Sequence, residues 1–204
     1  MFARYATTAI VVTLGASLAA MAPEPDPIPR RWQLAVETGP LRVASIQIPG
    51  EITRAYYFLT YKVTNTTDQD LLFTPSFELG TDEGEVLRSG RGVPTQVTRD
   101  ILERLNSPFI QDQTSIVGVL PQGEANAKEG VVIWPINDLH VNEVTIYGAG
   151  FSGETRAVEY KNAKGENEKA LLRKTLMLRY QTPGEIRDMA GRSIELADKQ
   201  WIMR

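Results

Sequence analysis

The chain contains no cysteine and only one histidine, His140, among its 204 residues. The absence of cysteine excludes disulfide bonds, thiolate metal sites, cysteine nucleophiles and lipidation on a cysteine. A single histidine also excludes a metal centre built from several imidazoles. The sequence therefore carries neither a thiol signature nor a multi-histidine metal signature.

The sequence also has little net charge. Its 22 basic and 25 acidic side chains give a formal charge of -3, and the pI is near 5.4. Such a chain offers no basic field to a phosphate backbone, so we expect no nucleic-acid binding. Hydrophobic residues make up 42% and charged residues 23%, which excludes a disordered, collagen-like or polytopic membrane protein. We expect one folded domain of ordinary size.

The first residues have the pattern of an export signal. Arg4 precedes an uncharged run, Ala6–Ala19, and the small residues Ser17 and Ala19 fit a cleavage site. We predict that residues 1–19 are a signal peptide and that the protein is exported to the periplasm, the cell surface or the medium. The alternative is an uncleaved membrane anchor that reaches Ala22, because this run is just long enough to span a bilayer of ~30 Å.

A proline-rich stretch separates this signal from the rest of the chain. Residues 23–31 read PEPDPIPRR, and alternating proline favours an extended, polyproline-like tether. We therefore interpret residues 20–31 as a linker and residues 32–204 as the folded domain.

The period of two from Trp32 onward predicts half-buried strands. The clearest is Arg54–Asn65, in which Tyr57, Leu59, Tyr61 and Val63 share one side. The other predicted strands are Trp32–Val36 (ended by Gly39-Pro40), Leu41–Val43, Ile46–Ile48, Leu71–Leu79, Glu85–Arg88, Thr114–Leu120, Gly130–Trp134, Glu143–Ala149, Thr155–Tyr160, Ala170–Gln181 and Gln200–Arg204.

One segment has a helical period, and we place a single helix from about Thr95 to Leu105. Pro75 interrupts a strand pattern, which predicts an edge strand or a bulge there. Trp201 shares one side with Met203, so we expect the C-terminal residues to form a docked strand. Many short strands with turns between them and one inserted helix predict a mostly β, antiparallel sandwich.

Several segments, among them YFLTYKVTNTTDQDLLFTPSFELGTDEGEVL, QDQTSIVGVLPQGEANAKEGVVIW, GAGFSGET, KTLMLRYQTPGE and the terminal KQWIMR, resemble a family of uncharacterised exported bacterial proteins. More distantly, the order of motifs is similar to immunoglobulin-like domains of bacterial surface and periplasmic proteins. The resemblance implies an immunoglobulin-like β-sandwich and an exported location. It implies no activity and no catalytic residue.

The segment Gly148–Gly153 matches the dinucleotide fingerprint G-x-G-x-x-G and follows a predicted strand. That fingerprint needs a helix after its last glycines, whereas Glu154–Tyr160 alternates like a strand. We therefore interpret the segment as a glycine-rich bend between two strands and expect no nucleotide cofactor. Ser152 lacks the spacing of a nucleophile elbow, and His140, the one available base, lies in a loop, so we expect no Ser-His catalysis.

Acidic residues cluster in two turns, Asp68–Asp70 and Asp82–Glu85, whose oxygens could hold calcium. Neither turn follows the twelve-residue calcium loop, and turn-forming aspartate explains both, so we predict no metal while calcium stays open. A glycosidase would need two carboxylates facing each other across a cleft. The candidates are Asp82, Glu83, Glu124, Glu129 and Glu154, and none is singled out.

These observations favour a non-catalytic, exported β-sandwich that works by binding another envelope protein or a surface polymer. No catalytic, cofactor or metal residue is assigned, and no nucleic acid or nucleotide is expected as a partner. Two alternatives stay open, namely a carboxylate-based hydrolase acting on envelope polysaccharide and a purely structural envelope component. A cleft with two facing carboxylates would favour the hydrolase, and a filled sandwich would favour the binding module.

Overall fold

The computed structural model describes residues 23–29, 31–48, 50, 52–182 and 191–204, so the predicted signal peptide or anchor lies outside the described residues. The elements are β1 (Ala35–Ile46), β2 (Arg54–Thr64), β3 (Leu71–Phe73), β4 (Ser76–Thr81), β5 (Val86–Arg88), α1 (Thr95–Leu105), β6 (Ile110–Asp112), β7 (Gly118–Leu120), a 3₁₀ turn (Glu124–Asn126), β8 (Lys128–Pro135), β9 (Glu143–Ala149), β10 (Thr155–Lys161), β11 (Asn167–Gln181), β12 (Ser193–Ile194) and β13 (Leu196–Met203).

The strands form two large sheets and one small ribbon. The first sheet has the order β12-β1-β2-β8-β6, and the second has the order β10-β11-β9-β4-β5, with β13 also paired to β11. Strands β3 and β7 form the ribbon. All pairs are antiparallel except β6 with β8. The predicted mostly β, antiparallel architecture with one helix is confirmed.

A large apolar core lies between the two sheets. The predicted inward set of β2, from Tyr57 to Val63, belongs to this core together with Trp134 of β8. The second sheet contributes buried residues of β4, β9 and β11, among them Ile146 and Leu178. Because these residues alternate along their strands, each sheet buries one face against the other.

A second, smaller core lies on the other face of the first sheet, under α1. Val97 and Ile101 of the helix pack with Tyr56 and Ile133 of the sheet. The helix has the predicted bounds, and it ends at Asn106 in the left-handed conformation (φ 49°). Both faces of β2 and β8 are therefore covered, which explains the nearly continuous apolar run of β8. Within the described residues, no helix is long and apolar enough to cross a bilayer.

Strand β11 is the longest, with 15 residues, and its two halves pair with different strands. Its second half pairs with β9 on one side and β13 on the other. Its first half pairs with β10 in a hairpin that contributes no buried core residue, so this hairpin extends beyond the sandwich. The C-terminal segment is a docked strand as predicted, and it begins at Leu196, four residues before the predicted start at Gln200.

Some strand predictions need correction, and among them the predicted strands Trp32–Val36 and Ile46–Ile48 are extended only from Ala35 and only at Ile46. The break expected at Gly39-Pro40 is instead a register shift inside one continuous strand, β1. Gly39 lies close against Thr60 of the neighbouring strand at this position. Pro75 does not mark an edge strand, because it lies between β3 and β4, and β4 is interior to its sheet. Only the last three residues of the strand predicted over 114–120 are extended. The Asp112 carboxylate accepts hydrogen bonds from two following backbone N–H groups and turns the chain there.

Candidate functional site

The glycine-rich segment joins β9 to β10 as a bend, as predicted, and no helix follows it. Gly150 has φ +92°, and an added Cβ would lie 2.6 Å from the carbonyl oxygen of Thr74. The bend inserts Phe151 into the core, where its ring centroid lies 5.8 Å from that of Tyr61 and 5.6 Å from that of Phe77. Gly148 lies against the Phe77 and Phe151 rings and Gly150 permits the turn, whereas Gly153 lies against the ring of Trp32, where an added Cβ would clash.

Ser152 and His140 lie at opposite ends of β9, roughly 20 Å apart by the rise of a strand. The Ser152 hydroxyl donates to the carbonyl oxygen of Trp32 at 3.3 Å and accepts from the N–H of Glu154 at 3.1 Å. The His140 side chain is 83% exposed, with its Nδ1 3.5 Å from Asp138. The structure does not bring this serine and this histidine together.

Each of the two acidic turns accepts hydrogen bonds from a segment that is distant in the sequence. Asp70 accepts from the N–H of Gln122 at 3.1 Å, and Asp82 accepts from the backbone and side chain of Asn142, each at 3.3 Å. Among the described residues, no group of three or more His, Asp or Glu side chains is arranged to hold a metal ion. The nearby Asn65, which begins an Asn-Thr-Thr sequence, is fully buried and donates to two backbone carbonyls.

Of the carboxylates considered from the sequence, only Glu154 is buried. Its Oε2 lies 3.0 Å from Nζ of Lys174, and the two side chains are 7% and 4% exposed. Glu124, by contrast, is 85% exposed and lies 3.9 Å from Lys62. Glu154 immediately follows the glycine-rich bend and Lys174 lies in the middle of β11, so the fold fixes both groups.

This buried ion pair anchors the proline-rich segment. The N–H of Asp26 donates to Oε1 of Glu154 at 3.0 Å, and the Asp26 carbonyl oxygen accepts from Nζ of Lys174 at 3.4 Å. The Asp26 carboxylate lies 3.4 Å from Arg156. These contacts dock residues 23–29 against the domain, and we call them the Asp26 clasp.

The electrostatics of the clasp keep Glu154 ionised. The hydrogen bond from the Asp26 N–H lowers the pKa of Glu154 below its usual range, and the hydrogen bond and charge of Lys174 and the charge of Arg156 act in the same direction. Burial opposes these effects, since it disfavours the charged form. The net lowering means that Glu154 remains a carboxylate at neutral pH.

A groove of about 760 Å³ lies between the proline-rich segment and strand β13. Four successive residues of β13, from Gln200 to Met203, line it. Because successive side chains of a strand point to opposite faces, a groove that meets all four must run along the edge of the strand. The opposite wall contains Pro23, Pro25, Pro27 and Pro29.

The edge of β13 that faces away from β11 has backbone groups without a strand partner among the described residues. Arg173 and Arg204 exchange both backbone hydrogen bonds, at 2.7 and 3.0 Å. In an antiparallel pair the direction of these groups alternates, so Lys199, Trp201 and Met203 direct their N–H and C=O groups outward. Within the described part of the chain, β13 pairs with no strand other than β11.

Side chains along the groove add recognition groups. Gln33 lines it, and its Oε1 atom is buried without a hydrogen-bond partner among the described residues. The Trp201 ring lies 5.8 Å from Nζ of Lys174 and is partly buried. The groove thus combines a strand edge, an unsatisfied acceptor and an aromatic surface, which are the elements of extended-peptide recognition.

Sequence reasoning missed this site. Lys174 and Glu154 are separated by 20 residues and carry no motif, so their pairing follows only from the register of β10 and β11. One signal was present, since prolines at every second position of residues 23–29 supply no N–H to an adjacent strand.

Comparison with known proteins returned no matching family model, no similar curated protein and no similar solved structure.

Proposed function

We propose that this protein is an exported, non-catalytic binding module with an immunoglobulin-like β-sandwich, and that it holds an extended segment of another envelope protein against β13. The observation that carries this proposal is the unpaired edge of β13 beside a groove of about 760 Å³. Strand addition satisfies backbone groups that are otherwise unpaired and places alternate side chains of the partner in the groove. Export rests on the N-terminal pattern, and the immunoglobulin-like fold rests on the two facing antiparallel sheets and on the sequence resemblance.

The lowered pKa of Glu154 argues against this buried carboxylate as the general acid of the hydrolase alternative. A glycosidase general acid needs a raised pKa so that it stays protonated at neutral pH. Glu154 has a lowered pKa, caused first by the Asp26 N–H. Glu78 also has a lowered pKa, caused first by its hydrogen bond from Arg204. Both carboxylates are therefore suited to ion pairing rather than to proton donation.

The proposal is tested by blocking the edge without changing the sheet. Lys199 directs its N–H outward, so Lys199→Pro removes a donor from the open edge and leaves the β11 side of the ladder intact. Lys199→Ala is the matched control, because it also removes the Lys199 ammonium, which lies 3.3 Å from the carbonyl oxygen of Val36, but keeps the N–H. Circular dichroism and thermal unfolding of both variants establish that they fold.

The readout is photo-cross-linking in intact cells from a benzophenone amino acid at position 200, which lines the groove. We expect a discrete adduct with an envelope protein in the wild-type and Lys199→Ala backgrounds, and about a tenfold smaller yield with Lys199→Pro. Hydrogen exchange of the Trp201 amide should slow in the complex. An adduct of equal yield with Lys199→Pro would contradict strand addition, and no adduct in any background would favour the structural-component alternative.

A further inference from the structure

The edge of β8 on the β6 side contains a gap that a single side chain fills. Strand β6 pairs with β8 only as far as Val131, and the next contact along this edge is the N–H of Gly90, which donates to the carbonyl oxygen of Ile133 at 2.8 Å. Gln113, which follows β6, packs into the interval. A Cβ on Gly90 would lie 1.6 Å from Nε2 of Gln113, so glycine is required for this amide to take its place.

Two cavities meet at this side chain. One of about 490 Å³ opens on the core side of the first sheet, and one of about 280 Å³ opens on the helix side. Gln113 and Thr114 line both. The larger cavity also contains Tyr61, Phe77, Glu78 and Arg88, and the smaller contains Thr95 and Thr98.

Two buried polar atoms here have no partner. The Tyr61 hydroxyl and Oε1 of Gln113 are both buried without a hydrogen bond among the described residues. Tyr61 is only 3% exposed, and its burial raises the pKa of the hydroxyl, which therefore stays protonated and able to donate. Leaving buried polar groups unpaired is unfavourable, so a ligand that supplies both an acceptor and a donor would gain binding free energy by pairing them.

The charges around the larger cavity are already matched. Glu78 lies 3.4 Å from Nε of Arg88 and 2.6 Å from Nη1 of Arg204. The remaining polar lining consists of the Gln113 amide and of hydroxyls, such as those of Ser76, Ser89 and Thr114. A charged ligand would have to compete with existing ion pairs, whereas a neutral ligand rich in hydroxyl groups would not.

We infer that the cavity of about 490 Å³ beside Gln113 is a binding site for a neutral, hydroxyl-rich ligand of the size of a sugar unit. The Gln113 amide and the Tyr61 hydroxyl exchange hydrogen bonds with ligand hydroxyls. This site lies on a different edge of the fold from the β13 groove, so it is independent of the proposed strand addition.

The test is protein-observed NMR on the ¹⁵N-labelled full chain, titrated with maltose, cellobiose and N,N′-diacetylchitobiose as neutral probes and with glucose 6-phosphate as a charged one. We expect at least one neutral disaccharide to shift the side-chain NH₂ resonances of Gln113 saturably. Gln113→Leu and Tyr61→Phe should each weaken binding roughly three- to tenfold, the effect of one lost hydrogen bond. The matched controls Gln122→Leu and Tyr160→Phe lie outside both cavities and should leave the affinity unchanged.

Two results would overturn the inference. One is the absence of saturable shifts near Gln113 with all three neutral disaccharides at concentrations up to the order of 50 mM, well above the ~1 mM dissociation constant of a weak site. The other is binding that survives both Gln113→Leu and Tyr61→Phe, or that is as strong for the phosphorylated sugar. Lys199→Pro should not affect the titration, so failure of this site and failure of the β13 proposal are distinguishable.

Discussion

Replacing Lys174 by methionine tests whether the Lys174–Glu154 pair and the Asp26 clasp stabilise the protein as their burial suggests. The substitution keeps most of the side-chain volume but leaves the Glu154 carboxylate, which is only 7% exposed, without its cation. Removing one partner of a buried ion pair typically costs about 3–5 kcal/mol, because the other charge remains desolvated. In a domain of this size each kcal/mol lowers the melting temperature by about 2–4 °C, so we expect a fall of about 10 °C.

The matched control is Lys169→Met. Lys169 forms an ion pair of similar length with Glu159, at 3.2 Å, but its side chain is 76% exposed. Exposed pairs contribute little, so this variant should stay within about 0.5 kcal/mol of the wild type. The assay is urea unfolding followed by tryptophan fluorescence, with the free energy obtained by linear extrapolation.

The double variant Lys174→Met/Glu154→Leu completes a thermodynamic cycle. With neither charge present, no carboxylate is left buried alone. The double variant should therefore lose less unfolding free energy than the sum of the losses of the two single variants, by about 2 kcal/mol or more. If Lys174→Met unfolds within 1 kcal/mol of the wild type, as Lys169→Met should, then the pair is not buried in solution and the reasoning about the clasp is wrong.

Further predictions concern pH, the chain ends and the glycine bend. The folded-state pKa of Glu154 is lowered, so its contribution to stability is fully present above the unfolded-state pKa of about 4.3 and is lost as the pH falls through the lower folded-state pKa. Acidification should therefore destabilise the wild type more than Glu154→Gln, as measured by urea titrations at several pH values. Truncation after Lys199 removes Met203, which is 2% exposed, and should lower stability by roughly 2 kcal/mol or more; an unchanged melting temperature would refute it. Gly150→Ala should lower the free energy of unfolding by about 2 kcal/mol or more. Gly165→Ala, at φ +81° with no atom within 4 Å of the added Cβ, should lower it by only about 1 kcal/mol. Equal losses would show that backbone strain alone accounts for the effect at Gly150. N-terminal sequencing of the protein from the envelope should begin at or near Ala20, and an intact Met1 in the membrane fraction would indicate an anchor.

The strands with strong alternation were predictable from the sequence. Arg54–Thr64 and Glu143–Ala149 have buried residues at every second position, and helix α1 has its apolar residues on one face and a left-handed Asn106 at its end. These patterns are local, so a single sequence contains them. The docking of the C-terminal strand was also predictable, because Trp201 and Met203 share one side.

The candidate sites were not predictable, because they depend on contacts between distant segments. The edge of β13 is open only because of the sheet order, and the clasp joins Asp26 to residues more than 100 positions later. Short elements were missed for a similar reason: β6 has three residues and is extended only through its parallel pairing with β8. The pattern around Pro75 in the 71–79 run is ambiguous, since a proline between two strands and a proline in an edge strand leave the same sequence pattern.

The clasped proline segment also bears on self-association. An exposed strand edge invites pairing with the same edge of another copy, which is a common route to aggregation. Here the segment flanks the edge of β13, and its alternating prolines cannot extend the ladder with donors of their own. We expect a second folded sheet that approaches side-on to meet this barrier, whereas the single extended strand of the proposed function would enter along the groove. Under that proposal, the clasp at Asp26 would separate two events that an unprotected edge permits equally, the capture of an extended segment and the pairing of whole molecules.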